Sequence, residues 1–187
     1  MTFRRGFKAE AERLALDVRE EVGVGVYARL DPIILAEHLA IPVMTLSELA
    51  AARVVPGLGD AVDVLQGIES QAMSAVTVFF GSERAIVHND AHSPGRQVSN
   101  VTHELSHGLL LHPSAPMLDH RGCRNWNPDV EDEANYLAGA LLIPAKAAWG
   151  LAKRRKSFDQ AAVDYGCSVE MVRWRVNVTG AGRLLAG

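Results

Sequence analysis

The apolar positions along the chain divide it into helices at both ends with a short group of strands between them. Over 7–22, Leu14, Leu16, Val18 and Val22 recur among Glu, Arg and Lys, the pattern of a helix with a charged outer face. Asp31-Pro32 predicts a second helix, with Asp as N-cap and Pro at the first helical position, running through Leu35 and Leu39 to about Ala40. Ile41 to Leu46 reads as a short edge strand, because Pro42 cannot donate to a ladder. Residues 54–59, broken by Pro and Gly, read as loop, and 60–66 as a short helix. The strongest strand signals are the β-branched and aromatic runs 74–80 and 84–88, joined by Gly81-Ser82 into a hairpin. Helical spacing returns over 96–111 with Val101, Leu105 and Leu109. After a loop over 112–127, Asn127-Pro128-Asp129 supplies an N-cap, an N1 proline and an acidic first turn for a helix that Pro144 stops after Ile143. Residues 145–179 read as three short helices.

These elements predict an α+β fold. A small sheet with strands near 43–46, 74–80 and 84–88 packs on the central helices in a domain spanning 1–144, and 145–187 forms a helical subdomain. At 187 residues, 48% of them hydrophobic and 22% charged, the chain can bury one substantial core. A net charge of −3 gives no general attraction to nucleic acid or anionic membrane. Two cysteines, Cys123 and Cys167, imply no disulfide framework and fit a reducing compartment. The opening residues carry positive charge but continue into Lys8, Glu10, Glu12 and Arg13 rather than an apolar run, so a cytoplasmic location is expected.

The chemistry is concentrated in His103-Glu104-Leu105-Ser106-His107. Residues four apart on a helix lie about 40° from each other, so both imidazoles can reach one ion. Neutral imidazole is a good zinc ligand, and a catalytic zinc keeps three protein ligands and one open position. Glu104 is turned about 100° from His103, which leaves it free to act as general base. Two surface histidines on an amphipathic helix would be the bland alternative, but the pair follows a hairpin and has apolar residues behind it. A third ligand is expected from the helix 128–143. Glu131 shares a face with Asn135, Ala138 and Leu142, beside a core stripe of Val130, Ala134, Leu137 and Leu141. Glu131 is therefore the expected ligand, with Asn135 one turn later hydrogen-bonding a ligand histidine. Glu133, on a different side, is the runner-up, and Asp129 and Asp132 suit a solvated first turn favoured by the helix dipole. His92, His112, His120 and Tyr136 are candidates to stabilise an oxyanion.

The run His103 to His112, followed by Glu131-Asp132-Glu133-Ala134-Asn135 and the stop Leu141-Leu142-Ile143-Pro144, resembles the ImmA/IrrE family of metallopeptidases. That resemblance implies a zincin-like core of the gluzincin type. It places the third ligand on Glu131 and the orienting residue on Asn135 of a Glu-x-x-x-Asn helix. It further implies a zinc endopeptidase whose protein substrate is a helix-turn-helix transcriptional repressor. Two alternatives stand beside this reading: a zinc-stabilised module that docks on a repressor without cutting it, and a DNA-binding regulator acting through 157–179. The second draws on the turn around Gly166, on Arg173 and Arg175, and on Lys153 to Lys156. Against it, Trp174 and Val176 look like packing residues, and direct nucleic-acid binding is not the expectation. A Cys123 thiolate could also cap a zinc ion as a latch, but an ordinary partly buried cysteine is the expectation for that residue.

Overall fold

Three strands and eight α-helices form among the residues described in this computed structural model, 3–51, 73–80, 83–113 and 127–185. The first helix, α1 (Phe7–Glu21), buries Phe7, Ala11, Ala15 and Val18 on one side. In α2 (Pro32–His38) the predicted start is observed, the Asp31 side chain accepting from Ile33 N at 2.9 Å. Strand β1 (Val43–Thr45) then passes directly into α3 (Leu46–Ala51), a helix that hydrophobic spacing does not predict. Its signal is a capping box: Thr45 Oγ1 accepts from Glu48 N at 3.0 Å while Glu48 takes the Thr45 N–H at 2.7 Å. The loop and short helix expected over 54–66 lie outside the described residues.

The hairpin strands are β2 (Ala75–Phe80) and β3 (Glu83–His88), and their turn residues 81 and 82 lie outside the described set. They pair antiparallel, Thr77 opposite Ile86 and Phe79 opposite Arg84. β1 pairs parallel to β3, Val43 opposite Ile86, so the order is β1-β3-β2 and β1 is an edge, as Pro42 predicts. Pro42 still contributes its carbonyl, accepting from Ile86 N at 2.8 Å.

Helix α4 (Pro94–Leu109) starts two residues earlier than expected, with Pro94 in the first turn. It packs against the hairpin on one side and α5 (Pro128–Leu142) on another. Asn127 caps α5 by accepting from Asp129 N at 3.1 Å. The main core joins α1, α4, α5 and β3 through Phe7, Ile86, Val101, Leu105, Leu137 and Leu141. The three expected C-terminal helices are α6 (Ala145–Lys153), α7 (Phe158–Tyr165) and α8 (Val169–Val178), built on Leu142 and Ile143 and followed by a 3-10 turn at Ala181–Leu184. No described helix is long and apolar enough to cross a membrane.

Candidate metal centre

Helix α4 turns its buried face, Val101, Leu105 and Ser106, to the core, which leaves His103 and His107 half-buried on the adjoining side. Helix α5 brings Glu131 to the same point from its first turn. His103 Nε2 lies 3.2 Å from Glu131 Oε2, His107 Nε2 lies 3.7 Å from Glu131 Oε1, and the two Nε2 atoms are 3.0 Å apart. Among the described residues this is the one group of at least three such side chains whose donor atoms all fall within 4.8 Å of one another.

The spacing fits a divalent ion. Ligands about 2.0–2.1 Å from a tetrahedral centre stand about 3.3–3.4 Å apart, and the three observed separations bracket that value. The donor set, two imidazole nitrogens and a carboxylate, is that of catalytic zinc sites, which keep a fourth position open. Hydrogen bonds from His103 and then His107 hold the Glu131 carboxyl well below the usual carboxylate range, so it stays an anionic donor.

His107 is oriented from behind. Its Nδ1 is 3.0 Å from Nδ1 of His112, whose Nε2 faces Glu133 Oε2 at 3.5 Å, and Glu133 in turn lies 3.5 Å from Arg4 Nε. The end of α4 produces this arrangement. Leu111 takes a left-handed φ of 53°, Leu111 N bonds Gly108 O, and His112 N bonds back to His107 O at 3.0 Å. This Schellman-type reversal returns His112 alongside the residue five positions earlier, at a cost of about 1 kcal/mol for a non-glycine in that conformation. Burial first, and then the neighbouring His107, push His112 below the ordinary imidazole value, so it is neutral near pH 7.

The expected orienter, Asn135, is corrected. Its side chain is exposed and makes no hydrogen bond to either imidazole, because Ala134 and the residues from Tyr136 onward turn inward and leave position 135 facing out. His103 Nδ1 is buried and has no hydrogen-bond partner among the described residues. Glu133, the runner-up ligand, faces His112 instead of joining the cluster. Tyr136 is also excluded as an oxyanion stabiliser: it sits against Phe3, Phe7 and Trp174, and its hydroxyl donates to Glu12 Oε1 at 3.1 Å. His112 lies behind His107, and His92 Nδ1 is 3.4 Å from Asn100 Nδ2. His120 and Cys123 lie outside the described residues.

Glu104, next to His103 on α4, reaches the sheet. Its Oε2 accepts from the Thr77 hydroxyl of β2 at 2.6 Å. Thr77 is not visible as a functional residue in the sequence, and His112 and Glu133 are visible there only in other roles, as an oxyanion stabiliser and a runner-up ligand. Thr77 lies in another element, and the pair depends on how one helix ends.

Residues 64–177, more than half of the chain, match the peptidase M78 family model, described as an IrrE N-terminal-like domain. No curated protein matches the chain. A solved structure described as a Mycobacterium tuberculosis transcriptional regulator is similar at 16% identity and a TM-score of 0.49. The likeness covers 91% of this chain and 46% of that one, so the chain spans less than half of that protein's length.

Proposed function

The chain belongs to the peptidase M78 family of IrrE N-terminal-like domains, and from that premise we propose that it is a zinc-dependent endopeptidase. The observation that carries this reading is the convergence of His103, His107 and Glu131 from two helices at tetrahedral spacing, and Glu104 follows His103 directly on its helix. Zinc held there supplies Lewis acidity, polarising a scissile carbonyl and acidifying water. Glu104 takes a proton from the attacking water as its oxygen bonds to the carbonyl carbon. The same carboxyl then delivers that proton to the departing amine as the C–N bond breaks. Glu131 and the two histidines hold their geometry throughout, His107 through His112 behind it.

The substrate proposed is a protein, and specifically a helix-turn-helix transcriptional repressor, as the family resemblance implies. The DNA-binding alternative loses one of its cations to the interior: Arg175 is fully buried and bonded to Ile143 O and Glu12. Lys156 pairs with Asp164. The test is to incubate the purified, zinc-restored protein with candidate helix-turn-helix repressors, any encoded near its own gene first. Cutting at a single site is expected, and Glu104→Gln should slow it at least ~100-fold, the scale of a lost general base, while zinc content is unchanged. Equal cutting by that variant would refute the mechanism.

A further inference from the structure

We infer that Thr77 is a positioning residue for the general base: its hydroxyl fixes the rotamer of Glu104, so that one carboxylate oxygen is held by the sheet and the other is presented to the reacting water. The inference rests on the endopeptidase reading above and adds to it a residue from a different element.

The contact has one polarity. An ionised carboxylate can only accept, so Thr77 Oγ1 is the donor and Glu104 Oε2 the acceptor. The 2.6 Å separation lies in the range of charge-assisted O–H···O⁻ bonds, which are shorter and stronger than neutral ones. Both ends of the bond are held. Thr77 is β-branched, with few side-chain conformers, and its backbone is registered opposite Ile86 on β3, which is paired on both sides. Glu104 stands on α4 between a ligand, His103, and Leu105, a fully buried core residue. The flexible part of the assembly is the Glu104 side chain itself. Its rotatable bonds would let the carboxylate adopt several orientations, and the hydroxyl removes that freedom at Oε2, while no hydrogen bond to another described residue holds Oε1.

Neighbouring contacts show that α4 is seated on the hairpin along its length, so the Thr77 bond is not an isolated touch. Arg96 Nη2 donates to Ser74 Oγ at 3.2 Å and Asn100 Nδ2 to Ser74 O at 3.4 Å. One turn beyond Glu104, the Arg84 guanidinium lies so close over Gly108 that a Cβ there would come within 2.9 Å of it. The hairpin thus carries the helix at Ser74, Thr77 and Arg84. Of these contacts, the Thr77 bond reaches the residue that must move a proton.

Two hydroxyl deletions test the inference in the full-length, zinc-loaded protein. Thr77→Val replaces the hydroxyl with a methyl of similar size, and the pair Thr77→Ser and Thr77→Ala differ only by the hydroxyl. Zinc content, melting temperature, kcat and KM are measured on the same repressor substrate. Val and Ala should lower kcat about 10- to 100-fold, the scale of a misplaced catalytic group, with KM within about twofold and zinc content unchanged. Ser should restore kcat to within about threefold of wild type. Wild-type kcat in Thr77→Val would overturn the inference, and so would a Ser variant as slow as Ala. If Val does not fold, the Ser and Ala pair decides the matter. A wild-type protein that cuts nothing would overturn the endopeptidase reading, and this inference with it; a wild type that cuts no faster than Thr77→Val would overturn this inference alone.

Discussion

An imidazole that binds a metal through Nε2 keeps its proton on Nδ1, and that proton needs an acceptor if the ring is to stay in place. For His107 the acceptor is His112 Nδ1, which leaves the His112 proton on Nε2, the atom facing Glu133. His112→Ala should therefore weaken zinc binding about 10- to 100-fold, measured by competition with a chromogenic chelator. Asn135→Ala should leave zinc affinity within about twofold, because that side chain is exposed and unbonded. The reverse ranking would show that Asn135, and not His112, orients the imidazole. Helical spacing places positions 131 and 135 on one face, yet it cannot say how the helix is rolled about its axis. The roll is set by burial of Ala134, Tyr136, Leu137 and Leu141, which directs Glu131 to the cluster and Asn135 outward. The place of His112 behind His107 is even less legible, since periodicity carries no information past the end of a helix.

Among the elements, α5 has the most demanding surroundings, because its first turn brings Glu131 to the histidine pair while its later turns are buried from all sides. Gly139 marks the closest approach: a Cβ there would fall 2.5 Å from the Trp174 ring and 2.6 Å from Cδ of Arg175. Gly139→Ala raises helix propensity, but the steric cost should dominate. We expect a net destabilisation of about 1–3 kcal/mol in urea unfolding, the range for overpacked cores. A stabilised variant would mean that α8 can move away from α5 without loss. Element starts were the most readable feature of the chain. Asp31-Pro32 and Asn127-Pro128 are both observed as N-caps followed by proline. The helix α3 was missed although Thr45 and Glu48 carry its capping box, because a six-residue helix is too short for hydrophobic spacing to register.

Across the whole molecule, Glu12 links segments far apart in sequence. Its Oε1 accepts from Arg175 Nη2 at 2.6 Å and Tyr136 at 3.1 Å, and its Oε2 accepts from Ala145 N at 2.9 Å. The first helix, the ligand-bearing helix and the C-terminal helices are thereby joined at one carboxylate. Removing it strands a guanidinium with no exposed surface, so Glu12→Ala should cost about 3–5 kcal/mol in urea unfolding. The double variant Glu12→Ala/Arg175→Met should recover much of that loss, since it no longer buries an unpaired charge. Failure of the second change to rescue the first would show that Glu12 acts through Tyr136 and Ala145 rather than through Arg175. Arg19 is a second fully buried guanidinium, donating to the carbonyls of Leu141, Gly25 and Ala28. Both arginines look like surface cations in the sequence, since a residue's charge does not reveal whether carbonyls or a carboxylate will enclose it.

What the sequence determined by itself was local: the order of the longer helices and the strands, the edge position of the first strand, and the pairing of His103 with His107 on one helical face. Those follow from backbone geometry, capping chemistry and a fixed turn of 100° per residue, none of which needs a distant partner. Folding alone decided which residues from other elements would stand around that pair, bringing Glu131 to 3.2 Å from His103, Thr77 to 2.6 Å from Glu104 and His112 to 3.0 Å from His107. These contacts depend on helix roll, sheet register and the shape of one helix end. Each of them is set by which apolar surfaces pack together across the whole core, and so by the chain acting collectively.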